Sequence, residues 1–115
     1  MWSIVNIFRN KSSIKDKEVL SVIDEIEVEM KLIGFWSDSP PKFSVGNYLE
    51  APSFELWLQC VFIPNARQAA KKGNYPASSQ VGDMAFRQYD YHNPVEEAYK
   101  LLGLLRKFDK LVSAK

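Results

Sequence analysis

Eleven consecutive positions, Phe54-Glu55-Leu56-Trp57-Leu58-Gln59-Cys60-Val61-Phe62-Ile63-Pro64, are apolar on nearly every side of a helix. An amphipathic surface helix keeps one polar face, so a run this uniform has to be enclosed by the rest of the chain. It is also too short for a bilayer, which takes ~20 apolar residues to span. The run is therefore expected to be the central helix of a small soluble core. With 115 residues, 46% of them hydrophobic, the chain can build one core without disulfides or metals. Cys60 is the only cysteine, which excludes an intramolecular disulfide and a thiolate metal cage. A reducing, cytoplasmic setting fits that composition.

The elements on either side follow from periodicity and end signals. Val19, Ile23, Ile26, Met30 and Ile33 recur at three- and four-residue steps, the stripe of an amphipathic helix. Ser13 is the expected cap of this first helix, Glu27 and Lys31 pair along it, and Gly34 stops it. Residues 1–12 then form a separate apolar arm, and 13–115 a single helical domain. The arm does not read as a secretory signal, because its basic residues follow the apolar stretch instead of preceding it.

Residues 35–52 contain Pro40-Pro41 together with Phe35, Trp36, Phe43 and Tyr48, and read as an ordered aromatic crossover. Ser53 caps the second helix, which is expected to run past Pro64 and end at Gly73. A proline inside a helix costs ~3 kcal/mol. Pro64 therefore predicts a kink, the alternative being two helices broken at Ile63. Turn signals fill residues 74–92, around a short helix near Met84 to Tyr89. Asn93, Pro94 and Glu96 open the last helix, whose stripe is Ala98, Leu101, Leu102, Leu105, Phe108 and Val112, with Gly103 as a point of close approach. The expected fold is all-α, a small bundle of three long helices with the aromatic crossover and a short helix or turn before the last helix.

Net charge is only +1, but it is unevenly placed. Residues 16–55 hold nine acids against three lysines, and residues 56–115 hold nine bases against five acids. Such a split either steers a polar partner or is the solvated surface of packed helices.

Candidate chemistry is sparse. Cys60 sits among apolar neighbours and reads as a buried small hydrophobe, not an activated thiolate. One histidine, His92, cannot build a zinc site. No Glu-x-x-His pair and no phosphate-cradling glycine loop occurs, so neither a metal nor a cofactor is expected. Gln59, the uncharged polar residue of the apolar run, either ties the second helix to the linker backbone or lines a small pocket with Trp36 and Tyr75. Arg67, Lys71, Lys72 and Tyr75 place cations beside an aromatic ring, a pattern suited to RNA phosphates and a stacked base. Cations at a helix C-terminus also simply suit the helix dipole.

Trp57-Leu58-Gln59 followed by Val61 and Ile63-Pro64, with Trp36, Pro40-Pro41, Tyr75-Pro76, Met84 and the leucine-rich last helix, resembles the YqcC-like family of small bacterial proteins. The resemblance runs from about Val19 to Val112. It implies an all-α bundle in the cytoplasm with no established activity, in a family whose members are often encoded beside a tRNA pseudouridine synthase. The chain departs from that pattern at Cys60, where an aromatic is common, at Asn65, where an arginine often follows the proline, and at Asp83, where a proline is usual.

Together these readings lead to a non-enzymatic interaction or accessory module linked to tRNA modification. It would contact a protein partner, such as a tRNA pseudouridine synthase, or RNA, through Trp36, Arg67, Lys71, Lys72 and Tyr75. Two alternatives stand beside it. One is a small-ligand-binding bundle with an apolar pocket between the second helix and the linker. The other is a homodimer formed through the apolar arm. No membrane association is expected.

Overall fold

A computed structural model describes residues 2–42, 51–91 and 94–113, with side chains from Ile14 onward. The expected contributions of Phe43, Tyr48, His92 and Asn93 lie outside the described residues.

The first helix, α1, spans Trp2–Leu32, so Ser13 lies inside it and does not cap it. Residues 2–33 contain neither glycine nor proline, so nothing in the backbone stops the helix at a Ser-Ser pair. Val19, Ile23, Ile26 and Met30 of its stripe are fully enclosed, and Val22 joins them. Gly34 ends α1 in the left-handed region at φ 81°. There its N–H donates to the Lys31 carbonyl and the Phe35 N–H to the Met30 carbonyl, which satisfies two of the last free acceptors.

The second helix, α2, runs over 54–72 in three continuous pieces: α-helical Phe54–Trp57, a π-helical turn Leu58–Phe62, and α-helical Ile63–Lys72. The Ser53 hydroxyl caps it by accepting the Leu56 N–H at 3.1 Å, and Gly73 closes it at φ 65°. The chain stays helical through Pro64. Ahead of the proline the winding loosens, and the Ile63 N–H bonds back five residues, to Leu58. A proline has no N–H to offer the carbonyl four residues back and its ring crowds that carbonyl. The wide turn absorbs that mismatch without ending the helix.

The third helix, α3, spans Val81–Tyr89, a nine-residue element where a short helix or turn was the expectation. The fourth, α4, spans Tyr99–Ser113 and is led in by a 3₁₀ turn at Glu96–Ala98. Pro94 precedes this helix instead of opening it. Val95 is still extended (φ −116°, ψ 92°), and its N–H donates at 2.7 Å to the Tyr89 carbonyl, tying it to the end of α3.

The fold is all-α, four helices with no strand among the described residues. α4 packs on both α1 and α3, and α1 also packs on α2. Leu58 and Ile63 of the apolar run, Leu101 and Leu105 of α4 and the α1 stripe share one core. Close approach occurs at Gly82, not at Gly103. A Cβ built on Gly82 would lie 2.5 Å from Arg106 Cγ, whereas one on Gly103 meets nothing within 4 Å. No helix among the described residues is long and apolar enough to cross a membrane.

Candidate functional site

The aromatic and basic residues picked out by the sequence fall along one side of α1, and most are engaged with it. The Tyr75 hydroxyl donates to Asp16, while Lys15 sits 5.2 Å from the Tyr75 ring centroid. The Arg67 guanidinium bridges Asp24 at 3.0 Å and Glu27 at 2.8 Å. The Lys31 ammonium lies 5.0 Å from the ring of Trp36, which is half-buried. Tyr75 and Trp36 are thus held at contacts sixteen residues apart on α1, about 24 Å at 1.5 Å per residue. They do not share a binding pocket. Lys71 and Lys72 are exposed at the end of α2.

The electrostatics of this row follow from its pairing. The hydrogen bond from Lys31 is the largest influence on the Glu27 carboxyl; burial opposes it, and the bond and charge of Arg67 add to the Lys31 effect, so the group is held below its ordinary range. Burial lowers the affinity of Arg67 for its proton, but the bonds to Glu27 and Asp24 outweigh that effect and raise it. Desolvation, reinforced by the Asp16 carboxylate, pushes the Tyr75 hydroxyl far above its usual range, so it remains a neutral donor.

Gln59 lies in the π-helical turn with 8% of its surface exposed. Its side-chain carbonyl accepts the Ser37 N–H at 2.9 Å and its amide donates to the Ser37 carbonyl at 2.7 Å. The amide thus forms a two-bond clasp between α2 and the linker. Cys60 beside it is half-buried instead of fully enclosed.

A polar node that the sequence did not announce joins α3 to α4. Asp109 accepts the Ser79 hydroxyl and the Val81 N–H on one oxygen, and the Gly82 N–H at 2.7 Å on the other. It caps α3 from another helix, in a role that neighbouring residues usually fill. Burial raises the Asp109 carboxyl above its usual range, while these three donors pull in the opposite direction. A second such link runs from the Tyr89 hydroxyl to Glu55, and burial followed by that bond pushes Tyr89 far upward.

An open, apolar groove of about 240 Å³ lies between α2, the 73–80 loop and α4. Trp57, Val61, Phe62, Ala69, Tyr75 and Phe108 are among its walls. Phe62 stacks on Trp57 at 5.9 Å and meets Phe108 edge-on at 5.0 Å, so the aromatic floor is a chain of ring contacts. The sequence predicts an apolar pocket between the second helix and the linker. There Trp36, Ser53 and Glu55 line a shallower and more polar depression. Gln59 lines neither surface. Small residues at Ala66 and Ala69 open the groove beside the aromatics, a pattern visible in the sequence only once Tyr75 and Phe108 are known to come together. No group of three or more histidine, cysteine or acidic side chains suited to a metal occurs among the described residues.

These features define a small helical domain in which Gln59, Tyr75, Tyr89 and Asp109 tie elements together and which presents an apolar groove. The chain belongs to the DUF446 family, whose model, described as tRNA pseudouridine synthase C, matches residues 18–111. No curated protein and no solved structure matches the chain.

Proposed function

We propose that this chain is a non-enzymatic interaction module that works alongside tRNA modification by docking an apolar segment of a protein partner. The groove floored by Trp57, Phe62 and Phe108 carries this reading. At about 240 Å³ it falls below the ~300–1,000 Å³ usual for drug-sized ligands, and it suits one or two inserted side chains better. The description of the family supports the connection to tRNA pseudouridine synthesis. The synthase itself is the first partner to test, and the cytoplasm is the compartment in which the two would meet.

A protein partner is favoured over RNA because Arg67 already pairs with two carboxylates and the Tyr75 ring already faces Lys15. Non-enzymatic action is supported by the polar residues themselves. Gln59, Asp109, Tyr75 and Tyr89 each spend their hydrogen bonds on holding elements together.

The test is direct binding of the purified chain to the tRNA pseudouridine synthase of the same cell, by titration calorimetry. Ala69 is half-exposed on the groove wall, so Ala69→Arg fills the groove from a position that tolerates a long side chain. The reading predicts that Ala69→Arg abolishes binding while helicity is retained. Equal binding by the two proteins, or binding of tRNA in place of the synthase, contradicts it.

A further inference from the structure

The face that α4 turns to solvent carries charge of one sign. It exposes the cations Lys100, Arg106, Lys107 and Lys110, together with Tyr99, Gly103 and Ser113, and no acid. A solvated helix face ordinarily mixes signs, as α1 does by exposing Lys17, Glu18, Asp24, Glu25 and Lys31. The acid of α4 itself, Asp109, points the other way and spends its oxygens on Ser79, Val81 and Gly82. Asp83, next to Gly82 on α3, is the exposed acid that borders the face.

Arg106 is the fixed point of this row. Its stem passes so near Gly82 that a Cβ there would lie 2.5 Å from Arg106 Cγ. Its guanidinium then lies 5.3 Å from the Phe86 ring centroid. Among the described residues no carboxylate pairs with Arg106, Lys107 or Lys110. An arginine held against a ring keeps its planar fork of N–H donors for an incoming oxyanion, with little freedom left to lose.

From Lys100 to Lys110 the cations extend about 15 Å along the helix, at 1.5 Å per residue. A row of that kind matches a chain of phosphates, each bearing one negative charge. In its middle Gly103 is open, since a Cβ there meets nothing within 4 Å, and another backbone can lie close. At its head the Tyr99 ring is 45% exposed, and its hydroxyl donates to Asp90 at 2.9 Å. An exposed ring beside cations offers a base a surface to stack on. We infer that the outer face of α4 binds the phosphodiester backbone of RNA. Unlike Arg67 and Tyr75, its cations are not already paired with acids of α1, Lys100 apart. Phe108 of the groove lies on the inward side of α4, 5% exposed, so RNA contact and partner docking stand or fall separately.

Fluorescence anisotropy of a labelled tRNA transcript, titrated with the full chain at about 50 to 200 mM salt, tests the inference. Four phosphate contacts predict that log K falls against log salt with a slope of about −3. Replacing Lys107→Gln and Lys110→Gln together should weaken binding about tenfold and reduce that slope by about 2. Arg106→Lys keeps the charge but loses the fork, and should weaken binding severalfold at unchanged slope. Lys71→Gln with Lys72→Gln removes the same charge from the exposed end of α2, and should change affinity by less than about twofold. All variants should keep their helicity by circular dichroism, because every substituted side chain is exposed. An absence of binding at the lowest salt overturns the inference, and so does an equal loss from the α2 pair. Polyglutamate bound as tightly as tRNA overturns it too, and assigns the face to an acidic protein.

Discussion

Asp109 and Gly82 fix how closely α3 approaches α4, and each sets a measurable cost. The Gly82 position leaves no room for a methyl group, because the nearest atoms include the Arg106 Cα at 3.0 Å, which belongs to backbone and cannot swing aside. Overpacking of about 1–3 kcal/mol should then exceed the gain of about 1 kcal/mol that alanine brings to a helix. Gly82→Ala should lower the urea midpoint. Gly103→Ala, in open space, should raise stability by up to about 1 kcal/mol. The two substitutions are chemically identical, so opposite signs in one denaturation series check the packing directly. Asp109→Asn retains one acceptor oxygen for donors that now occupy two, and should cost about 1–3 kcal/mol by leaving a backbone N–H unpaired. Gln59→Leu should cost a similar amount, since it strips both partners from the Ser37 backbone. Neither Gly82 nor Asp109 was legible as structural in the sequence. Gly82 reads as a turn signal there, and its steric partner lies twenty-four residues away on another helix. By contrast, Gly34 and Gly73 announced themselves, because a helix stop is encoded locally.

At the level of elements, what could be read in advance is what periodicity and local caps control. The α1 and α4 stripes, the Ser53 cap, the Glu27–Lys31 pair and the passage of α2 beyond Pro64 to Gly73 all depend on residues within one or two turns. Ends were harder where tertiary contacts compete. Ser13 looks like a cap but sits in a continuous helix, and the start of α4 is delayed because the Val95 N–H bonds to Tyr89. The π-helical turn before Pro64 excludes the break at Ile63, and no count of apolar positions distinguishes it from an ordinary helix. Burial predicts where truncation hurts most within these elements. Ile26→Ala or Leu105→Ala, at fully enclosed positions, should cost about 2–5 kcal/mol in chemical denaturation. Leu32→Ala, on the exposed side of α1, should change the stability of the monomer by less than about 0.5 kcal/mol.

For the molecule as a whole, the uneven charge of the sequence is in part an internal match. Arg67 of α2 meets Asp24 and Glu27 of α1, and Lys100 of α4 approaches the nearly buried Glu29 at 3.8 Å. The acidic first helix thus attracts the basic second half of its own chain. This gives a signed pH dependence. The Glu27 carboxyl titrates below its ordinary value of 4.5 in the folded state, so its contribution is present above that value and is lost as the pH falls through the lowered one. Because the pair is partly solvated, the effect is modest. Arg67→Met should flatten the decline of stability below about pH 4.5, measured as urea midpoint against pH, and leave the slope above pH 6 unchanged.

The same internal pairing explains why the candidate surface was only partly legible. Aromatic and basic residue types mark a surface, but whether a cation faces outward depends on which acid folds against it. The groove, in turn, exists only because residues from Trp57 to Phe108 converge. The most direct test of the central claim is a two-dimensional amide NMR titration of the labelled chain with the unlabelled tRNA pseudouridine synthase. The account predicts shifts concentrated at Val61, Asn65, Ala69, Tyr75 and Phe108, including the Trp57 indole N–H. Shifts confined to the outer face of α1, or a spectrum that does not change, would contradict it.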